Sequence, residues 1–562
     1  MIVKETTRIE NPATGMTSVG QVVSYHIGTH QLDVYTEKET IRLTQYEDGI
    51  FRVQLSRNET FDSFHYAIEP SLTLQPIQVT ENDPDRLVLH TDQLEVILMK
   101  NPFRVIVKDV KGQILNEDDE AFGTSWIGEQ VTTYKRLQPD EKFVGLGEKT
   151  GPLNKRGRGY QNWNTDHFGY GTETDPIYCS IPFYMGIHQG GAYGIFFNNS
   201  YKSHFNFGAS NRRFSSFSAD AGDMDYFFIH YKSVTEIIQA YSRVTGKLPL
   251  PPKWALGYQQ CRYSYYPDTE VLHTAARFRD KGIPADVIVL DIHYMEQYKL
   301  FTWDHERFPS PEAMINRLKE MGFQVVVMCD PGIKREQGYP TYEDGIEADV
   351  FLKYPDGTPY EGEVWPGWCH FPDFTSADTR EWWAEQLSAY TKMGIAGFWN
   401  DMNEISTWGN SLPELIEFDF DGAGASTRQA RNVYGLLMAK STLEGAQLHL
   451  KGQRPFNLTR SGFAGIQKYA AVWTGDNTAS DEHMLLGIRM LNSMALSGVS
   501  FAGFDAGGFI GNASETLFAR WISIAAFTPF FRGHTNVNNK TSETWTFGEH
   551  TEQIAKKNIS LT

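Results

Sequence analysis

Residues 1 to about 245 alternate short apolar and polar runs, the pattern of antiparallel β-strands. Asp48-Gly49 lies between two such runs and is a typical hairpin turn signal. Many short strands at this spacing predict an N-terminal β-sandwich domain, which we place at residues 1–247. The clearest runs are 40–43, 50–55, 87–90, 94–98 and 103–107.

A proline-rich stretch at 248–252 ends this pattern. Its sequence, Leu-Pro-Leu-Pro-Pro, is typical of a stiff linker between domains. Beyond it, continuously apolar strands alternate with amphipathic helices, which predicts a parallel sheet covered by helices. Helices are predicted to begin with Asp268 as the capping residue, at Pro311 and near Ser376. The intervening strands are predicted at 287–290 and 325–328.

The number of strands after the linker, about eight, favours a closed (β/α)8 TIM barrel over an open doubly wound sheet. We place this barrel at 248–562. The segment 334–374 is too long for an ordinary loop and is predicted to be an insertion along one rim. Residues 549–562 begin like a helix but lack a C-terminal stop signal, so the last barrel helix is expected to be cut short.

Composition and charge narrow the class of protein. A net charge of −18 opposes binding to nucleic acid or to an anionic membrane, so neither is expected as a partner. The four cysteines are scattered and form no CxxC pair, which indicates isolated reduced thiols. Residues 1–10 lack the apolar core of a signal peptide, and no apolar run approaches the roughly 20 residues of a membrane span. We therefore expect a cytoplasmic location; homo-oligomerisation is left open.

Two aspartates follow predicted strands and lie close to tryptophans. Asp401 follows the apolar run 393–399, and Asp476 follows 470–474. In a barrel the carboxyl ends of the strands meet at one mouth, where barrel enzymes hold their catalytic groups. Cleavage of a glycosidic bond needs two carboxyl groups, one facing the anomeric carbon and one donating a proton to the leaving oxygen. The pair therefore indicates sugar chemistry, although each aspartate alone could be a helix cap.

Further polar residues at strand ends fit a substrate rich in hydroxyl groups. Asp291, Asp330 and Asp505 end three more apolar runs, and carboxylates accept hydrogen bonds from hydroxyls. A metal site is the rival interpretation, but the metal-ligand spacings His-x-His and Glu-x-x-His do not accompany the ring, so we expect no metal and no other cofactor. Arg460 could pair with Asp476 and tune its pKa, and His534 could donate to a sugar hydroxyl; a purely structural role is open for both.

At these residues the sequence resembles glycoside hydrolase family 31, which contains α-glucosidases and α-xylosidases. The resemblance runs from about residue 140 to the C-terminus. Trp399-Asn400-Asp401-Met402-Asn403-Glu404 is similar to the nucleophile segment, and Trp473-Thr474-Gly475-Asp476 is similar to the acid/base segment. The resemblance therefore implies that Asp401 is the nucleophile and Asp476 the proton donor. It implies substrate-binding roles for Asp166, Asp291, Ile333, Trp365, Trp399, Met402, Arg460, Trp473, Asp505, Phe509 and His534.

Some of these roles are more specific in the family. The resemblance implies that Asp291 binds the 4- and 6-hydroxyls and that His534 lies on the 2- and 3-hydroxyl side. Asp166 would reach subsite +1 from the N-terminal domain. Asp505 and Phe509 would form a wall of subsite −1, with Trp365 and Ile333 as its hydrophobic floor. The sequence departs from the family at His293, often an aspartate, and at Tyr263, often a tryptophan, so altered fine specificity is expected.

These observations predict a retaining, exo-acting α-glucosidase that releases terminal non-reducing α-linked glucose from oligosaccharides through a covalent glycosyl-enzyme. An α-xylosidase or an α-glucan lyase with the same residues remains an alternative, as does a catalytically silent sugar-binding protein. Linkage and chain-length preference are left open. Family members carry C-terminal β domains after the barrel, and we expect these to be absent from this chain.

Overall fold

The computed structural model describes residues 15–58, 60–62, 64–409 and 411–562, and it contains a set of N-terminal antiparallel sheets followed by a closed parallel barrel. The predicted fold class is therefore confirmed. The prediction that residues 1–10 are not a signal peptide concerns a segment that lies outside the described residues. Within the described part of the chain, no helix is both long and apolar enough to cross a bilayer.

Three antiparallel sheets form the N-terminal part and share one buried apolar core. The strands predicted around Asp48-Gly49 and near residues 87–107 are confirmed. In spatial order, the six-stranded sheet contains Thr17–Ser18, Thr124–Ile127, Gln130–Arg136, Phe214–Ala219, Ser203–Asn206 and Gly159–Asn162; the five-stranded sheet contains Ile114–Glu117, Phe103–Asp109, Leu94–Lys100, Arg86–His90 and Val79–Asn82; and the eight-stranded sheet contains Lys142–Gly145, Phe183–His188, Gly191–Phe197, Met224–Ile229, Ile50–Ser56, Thr40–Glu47, Gln31–Tyr35 and Ser24–Ile27.

The barrel consists of parallel strands, and its last strand closes on its first through the pairing of Tyr258 with Phe531. The described barrel strands are almost entirely buried, as expected when a sheet is covered on both faces, although the first of them, Tyr258–Gln260, is mostly polar. The barrel strands, in chain order from first to eighth, are Tyr258–Gln260, Ala285–Leu290, Gln324–Cys329, Gly397–Asn400, Phe456–Thr459, Ala471–Trp473, Ala502–Asp505 and Phe530–Gly533.

The helices follow the predicted alternation, with two corrections. Pro267 is the N-cap of the first barrel helix and Asp268 lies inside its first turn, so the predicted capping role of Asp268 is wrong. The helix predicted near Ser376 is divided at Leu387 into two pieces. The α-helices are Val234–Thr245, Asp268–Asp280, Pro311–Glu320, Pro340–Glu347, Ala377–Gln386, Ser388–Thr391, Thr427–His449, Asp481–Ala495, Glu515–Ala525 and Glu549–Ile559, and the 3₁₀ turns are Lys253–Leu256, Ile292–Tyr294, Glu296–Tyr298, Ile466–Lys468 and Thr544–Phe547.

The segment 334–374 has structure of its own. Its strands Ile333–Lys334, Gly367–His370 and Gly362–Val364 form a small antiparallel sheet, and the helix Pro340–Glu347 lies between the first of them and the others in sequence. Trp365 lies in the tight turn between the last two strands of the sheet and faces the barrel mouth, so the insertion supplies one wall of the site. A further two-stranded sheet, Glu417–Phe418 with Ala425–Ser426, precedes the long helix.

Polar contacts join the N-terminal sheets to the barrel at several places, and one group of them involves the loop that contains Asn164. Cys179–Ser180 pairs in parallel with Gly462–Phe463, which follows the fifth barrel strand. Nearby, the backbone N–H of Asn164 donates to Asn432 Oδ1 on the long helix (2.8 Å), and Asn164 Nδ2 donates to the carbonyl of Asn432 (3.0 Å). All these groups are buried, so the loop that contains Asn164 is held firmly against the barrel.

We expect Gly503→Ala to destabilise the barrel. A methyl group at this position of the seventh barrel strand would lie 2.0 Å from the carbonyl oxygen of Phe530 in the eighth strand. Such overpacking costs about 1–3 kcal/mol or more, so the midpoint of thermal unfolding should fall by several degrees. Gly20→Ala is the matched control, because no described atom lies within 4 Å of its added carbon. Equal midpoints for the two variants would contradict the packing described here.

Candidate active site

A cavity of about 280 Å³ opens at the carboxyl ends of the barrel strands. It brings together the predicted site residues from six barrel strand ends, the insertion and the N-terminal domain. Ile333 and Asp505, by contrast, lie outside the cavity wall, which corrects their predicted places in it. The lining consists of Asp166, Phe168, Tyr263, Asp291, Ile292, Met328, Trp365, Trp399, Asp401, Met402, Trp408, Arg460, Trp473, Asp476, Phe509, His534 and Asn536.

Asp401 directly follows the fourth barrel strand and enters the cavity from there. Its Oδ1 accepts a hydrogen bond from the backbone N–H of Met402 (2.9 Å) and lies 3.2 Å from Nε of Arg460. Met402 has a φ of 56°, a left-handed conformation that is uncommon for a residue with a side chain. Strain of this kind is concentrated at functional sites, and here it turns the chain immediately after the carboxyl group.

Asp476 reaches the same cavity from the loop after the sixth barrel strand. Gly475 before it has a φ of 64°, and a Cβ at that position would lie 2.2 Å from the ring of Tyr178. Only glycine therefore allows this turn against the tyrosine. The side chains of Asp401 and Asp476 are 17% and 15% exposed, so both carboxyl groups reach the cavity.

Arg460 lies at the centre of a cluster of carboxyl groups. Its Nε and Nη2 donate to the two oxygens of Glu404, each at 2.8 Å. Its other acidic neighbours are more distant: Asp401 at 3.2 Å, Asp166 at 3.5 Å and Asp476 at 3.7 Å. The ion pair with Asp476 agrees with the sequence-based suggestion that Arg460 could pair with this residue and tune its pKa. The hydrogen-bonded partner, Glu404, was not predicted.

The two aspartates differ in how strongly their surroundings favour the neutral form. Burial raises the pKa of Asp476 well above its ordinary value; Arg460 opposes this, and the negative charge of Asp401 adds to it. Burial also raises the pKa of Asp401, but Arg460 and the hydrogen bond from Met402 oppose that rise. The rise in pKa is therefore stronger for Asp476 than for Asp401.

A second polar pair, Asp291 and His534, lines the same cavity. His534 Nε2 is 3.7 Å from Oδ2 of Asp291, and both side chains are buried. Burial raises the pKa of Asp291 to about 8 and lowers that of His534 well below its ordinary value, the latter with help from Arg532. Cys261 completes a triad whose ligand-capable atoms lie within 4.8 Å of one another. Burial raises the pKa of its thiol, which disfavours the thiolate that a metal requires.

Aromatic rings wall the cavity between these two polar groups. Trp399 is edge-on to both Trp473 and His534, with ring centroids 5.4 and 5.3 Å apart. Phe509 stacks on His534 at 4.8 Å. Apolar walls with a few convergent polar groups are typical of sites that bind small molecules. At the rim, Trp365 contacts Trp408, which is 45% exposed.

Beneath the tryptophans lies a fully buried ion pair. Arg532 Nε donates to Oδ1 of Asp505 (2.8 Å), and its guanidinium lies 4.4 Å from the ring centroid of Trp399. Burial raises the pKa of Asp505 to about 6, and Arg532 opposes the rise. Asp505 therefore supports the floor of the cavity from below instead of forming its wall.

Several residues of the site were not predicted from the sequence. Glu404 was visible only as the end of the Asp401 segment, and Arg532 follows a phenylalanine run with no spacing signal. Phe168 and Trp408 line the rim from loops without periodicity. His293 lies just outside the cavity; its ring stacks on Tyr266 at 4.7 Å, and burial lowers its pKa to about 4.

A closed parallel barrel that presents two carboxyl groups among tryptophan rings defines the class of barrel glycosidases. Family models agree: the glycosyl hydrolases family 31 TIM-barrel domain matches residues 248–562, and the glycosyl hydrolase 31 N-terminal galactose mutarotase-like domain matches residues 40–206. The chain belongs to glycosyl hydrolase family 31, which confirms the resemblance seen in the sequence.

Individual relatives agree with this assignment. "Alpha-glucosidase 2" of Bacillus thermoamyloliquefaciens is 41% identical over 97% of this chain and 69% of its own length. "Alpha-glucosidase" of Saccharolobus solfataricus is 32% identical over 77% of this chain and 66% of its own. A dextranase of this family from Flavobacterium johnsoniae, solved with isomaltotriose, superposes with a TM-score of 0.91 at 30% identity, covering 97% of this chain and 68% of that one. The chain thus spans about two thirds of these relatives.

We expect Asp505→Asn to destabilise the fold strongly. The change leaves the Arg532 guanidinium buried without its counter-charge, and breaking a buried pair in this way costs about 3–5 kcal/mol. Unfolding in urea, followed by tryptophan fluorescence, measures the effect. Glu320→Gln is the control, because its pair with Arg317 is exposed and is worth less than about 1 kcal/mol. An unchanged free energy of unfolding in Asp505→Asn would show that the Arg532–Asp505 pair does not support the floor of the cavity.

Proposed function

We propose that this chain is a retaining, exo-acting α-glucosidase in which Asp401 is the nucleophile and Asp476 the general acid and base. The observation that carries the proposal is the convergence of these two carboxyl groups on one cavity, on either side of the shared charge of Arg460. Asp401 attacks the anomeric carbon while Asp476 protonates the leaving oxygen. In the second step Asp476 removes a proton from water, and the water cleaves the glycosyl-enzyme.

The electrostatics support this division of roles. The donor must hold a proton while the nucleophile is ionised, and burial raises the pKa of Asp476 more strongly than that of Asp401. kcat/KM should therefore fall at low pH as Asp401 gains its proton, and at high pH as Asp476 loses its own. Retention also requires carboxyl groups about 5–5.5 Å apart, and their common contact with Arg460 supports such proximity.

The shape of the cavity and the relatives support a terminal glucose as the substrate unit. A cavity of about 280 Å³ is at the small end for ligand pockets, typically ~300–1,000 Å³, and suits one sugar ring with the rest of the chain outside. Asp291 and His534 line the same cavity and offer polar groups to the hydroxyls of that ring. The named relatives include α-glucosidases and a dextranase solved with isomaltotriose. We further propose a cytoplasmic location, supported by four buried cysteines that are all unpaired.

We expect Asp401→Ala to abolish hydrolysis of an aryl α-glucoside, because no covalent intermediate can form. The exposed Asp92→Ala serves as the control and should keep wild-type turnover. Proton NMR of the wild-type reaction should show α-glucose as the first-formed anomer, since two displacements retain configuration. Full turnover by Asp401→Ala, or β-glucose as the first product, would contradict the mechanism.

The same assay distinguishes the related activities. An aryl α-xyloside lacks the hydroxymethyl group at C6, so preferential turnover of it would identify an α-xylosidase. A product with an unsaturated ring would identify an α-glucan lyase. Binding of maltose without turnover of any aryl glycoside would identify a sugar-binding protein.

We expect Asp476→Ala to be rescued by azide with an activated aryl α-glucoside. Without its proton donor and base, the variant should accumulate the glycosyl-enzyme, which azide attacks without needing a base. Turnover should rise with azide concentration and give α-glucosyl azide. The matched variant Asp401→Ala should give only the β-azide, by direct displacement. The same azide anomer from both variants would show that the two roles are not divided as proposed.

A further inference from the structure

We propose that Glu404 is a positioning residue that holds Arg460 away from Asp476 and thereby keeps the proton donor protonated. The proposal rests on the function proposed above. Glu404 lies three residues after Asp401, is fully buried, and lies outside the cavity wall, behind Arg460. It acts through Arg460 and has no contact with the substrate space.

The geometry of the pair fixes the arginine. Both oxygens of Glu404 accept hydrogen bonds of 2.8 Å, one from Nε and one from Nη2, which is the two-pronged arrangement that constrains a guanidinium most strongly. Nη2 also contacts the sulfur of Met402 at 3.3 Å, and the ring of Tyr178 faces the guanidinium at 4.9 Å. Arg460 is therefore held at its edge and on one face, and only Nη1 points toward Asp476.

This orientation leaves the proton donor without a direct bond to the arginine. Nη1 is 3.7 Å from Oδ2 of Asp476, longer than a hydrogen bond, whereas Nε lies 3.2 Å from Asp401. An arginine bonded directly to a carboxyl group lowers its pKa by about 1–3 units. If Arg460 moved onto Asp476, the donor would ionise and lose its function. Glu404 competes for the guanidinium and prevents this.

Other charged groups face the pair from every side. Asp166 approaches from the N-terminal domain and accepts a hydrogen bond from Ser406. Asp330, at the end of the third barrel strand, and Glu148, in the N-terminal domain, also lie near, but burial raises the pKa of both well above the ordinary value, which favours their neutral forms. Two further arginines lie nearby. Nε and Nη2 of Arg431 donate to the carbonyls of Asn164 and Ile405. Arg532 is paired with Asp505 and lowers the pKa of Asp401. Glu404 is thus the carboxylate that binds Arg460 most closely.

The test is the pH dependence of kcat/KM in Glu404→Gln, which keeps the size of the side chain and removes its charge. With the negative charge gone, the field of Arg460 stabilises the ionised forms of both Asp401 and Asp476. Both limbs of the bell-shaped profile should therefore move to lower pH, by about one unit. At neutral pH, maltose turnover should fall at least tenfold further than that of 4-nitrophenyl α-glucoside, whose leaving group needs less protonation.

Two further variants complete the test. Glu404→Asp keeps the charge but is too short for both bonds, so its limbs should move less while kcat falls, and it also serves if Glu404→Gln does not fold. Glu141→Gln, a buried glutamate bonded to Tyr193 in the N-terminal domain, should leave the limbs unmoved. Two results would overturn the proposal. One is a pH profile of Glu404→Gln whose limbs do not move, with an equal loss of turnover on both substrates. The other is a wild-type kcat in Glu404→Asp. A wild-type chain inactive on both substrates would instead overturn the proposed function.

Discussion

One buried positive charge organises the site. Arg460 has four carboxyl groups within 4 Å: Glu404, Asp401, Asp166 and Asp476. A guanidinium in such a place is stable only with its counter-charges, and the carboxyl groups in turn can remain close together only with the guanidinium between them. Each element that contributes one of these groups must therefore be placed accurately. The barrel strands, the loop after the fourth strand and one loop of the N-terminal domain all serve this cluster.

The barrel gives this cluster its geometry. In the parallel register, Asn400 in the fourth strand pairs with Thr459 in the fifth, so the residues that follow them, Asp401 and Arg460, emerge side by side. The sixth strand pairs with the fifth and brings Asp476 to the same mouth after a short turn. Below, the Arg532–Asp505 pair supports the tryptophans from inside the barrel. The site is thus preorganised by the closed sheet, and its polar groups need little rearrangement to meet a charged transition state.

Sequence reasoning was strongest where periodicity constrains the chain. The alternation of strands and helices predicted the barrel, and strand ends beside tryptophans indicated Asp401 and Asp476, which do meet in one cavity. It was weakest where the partner of a side chain depends on tertiary packing. The partner of Arg460 could not be predicted, because Glu404 lies beyond the strand, after the left-handed turn at Met402. For the same reason the sequence did not reveal that Asp505, although at a strand end, is fully buried and bonded to Arg532.

The contact between Asn164 and Asn432 has a consequence for how such an enzyme can change. The loop that brings Asp166 to Arg460 is fastened to the long barrel helix two residues earlier. The active site is therefore formed by residues of both the N-terminal sheets and the barrel. Replacing the N-terminal sheets with those of a distant homologue would also require a compatible asparagine pair. The N-terminal sheets and the barrel are therefore expected to be exchanged together, both in evolution and in laboratory recombination.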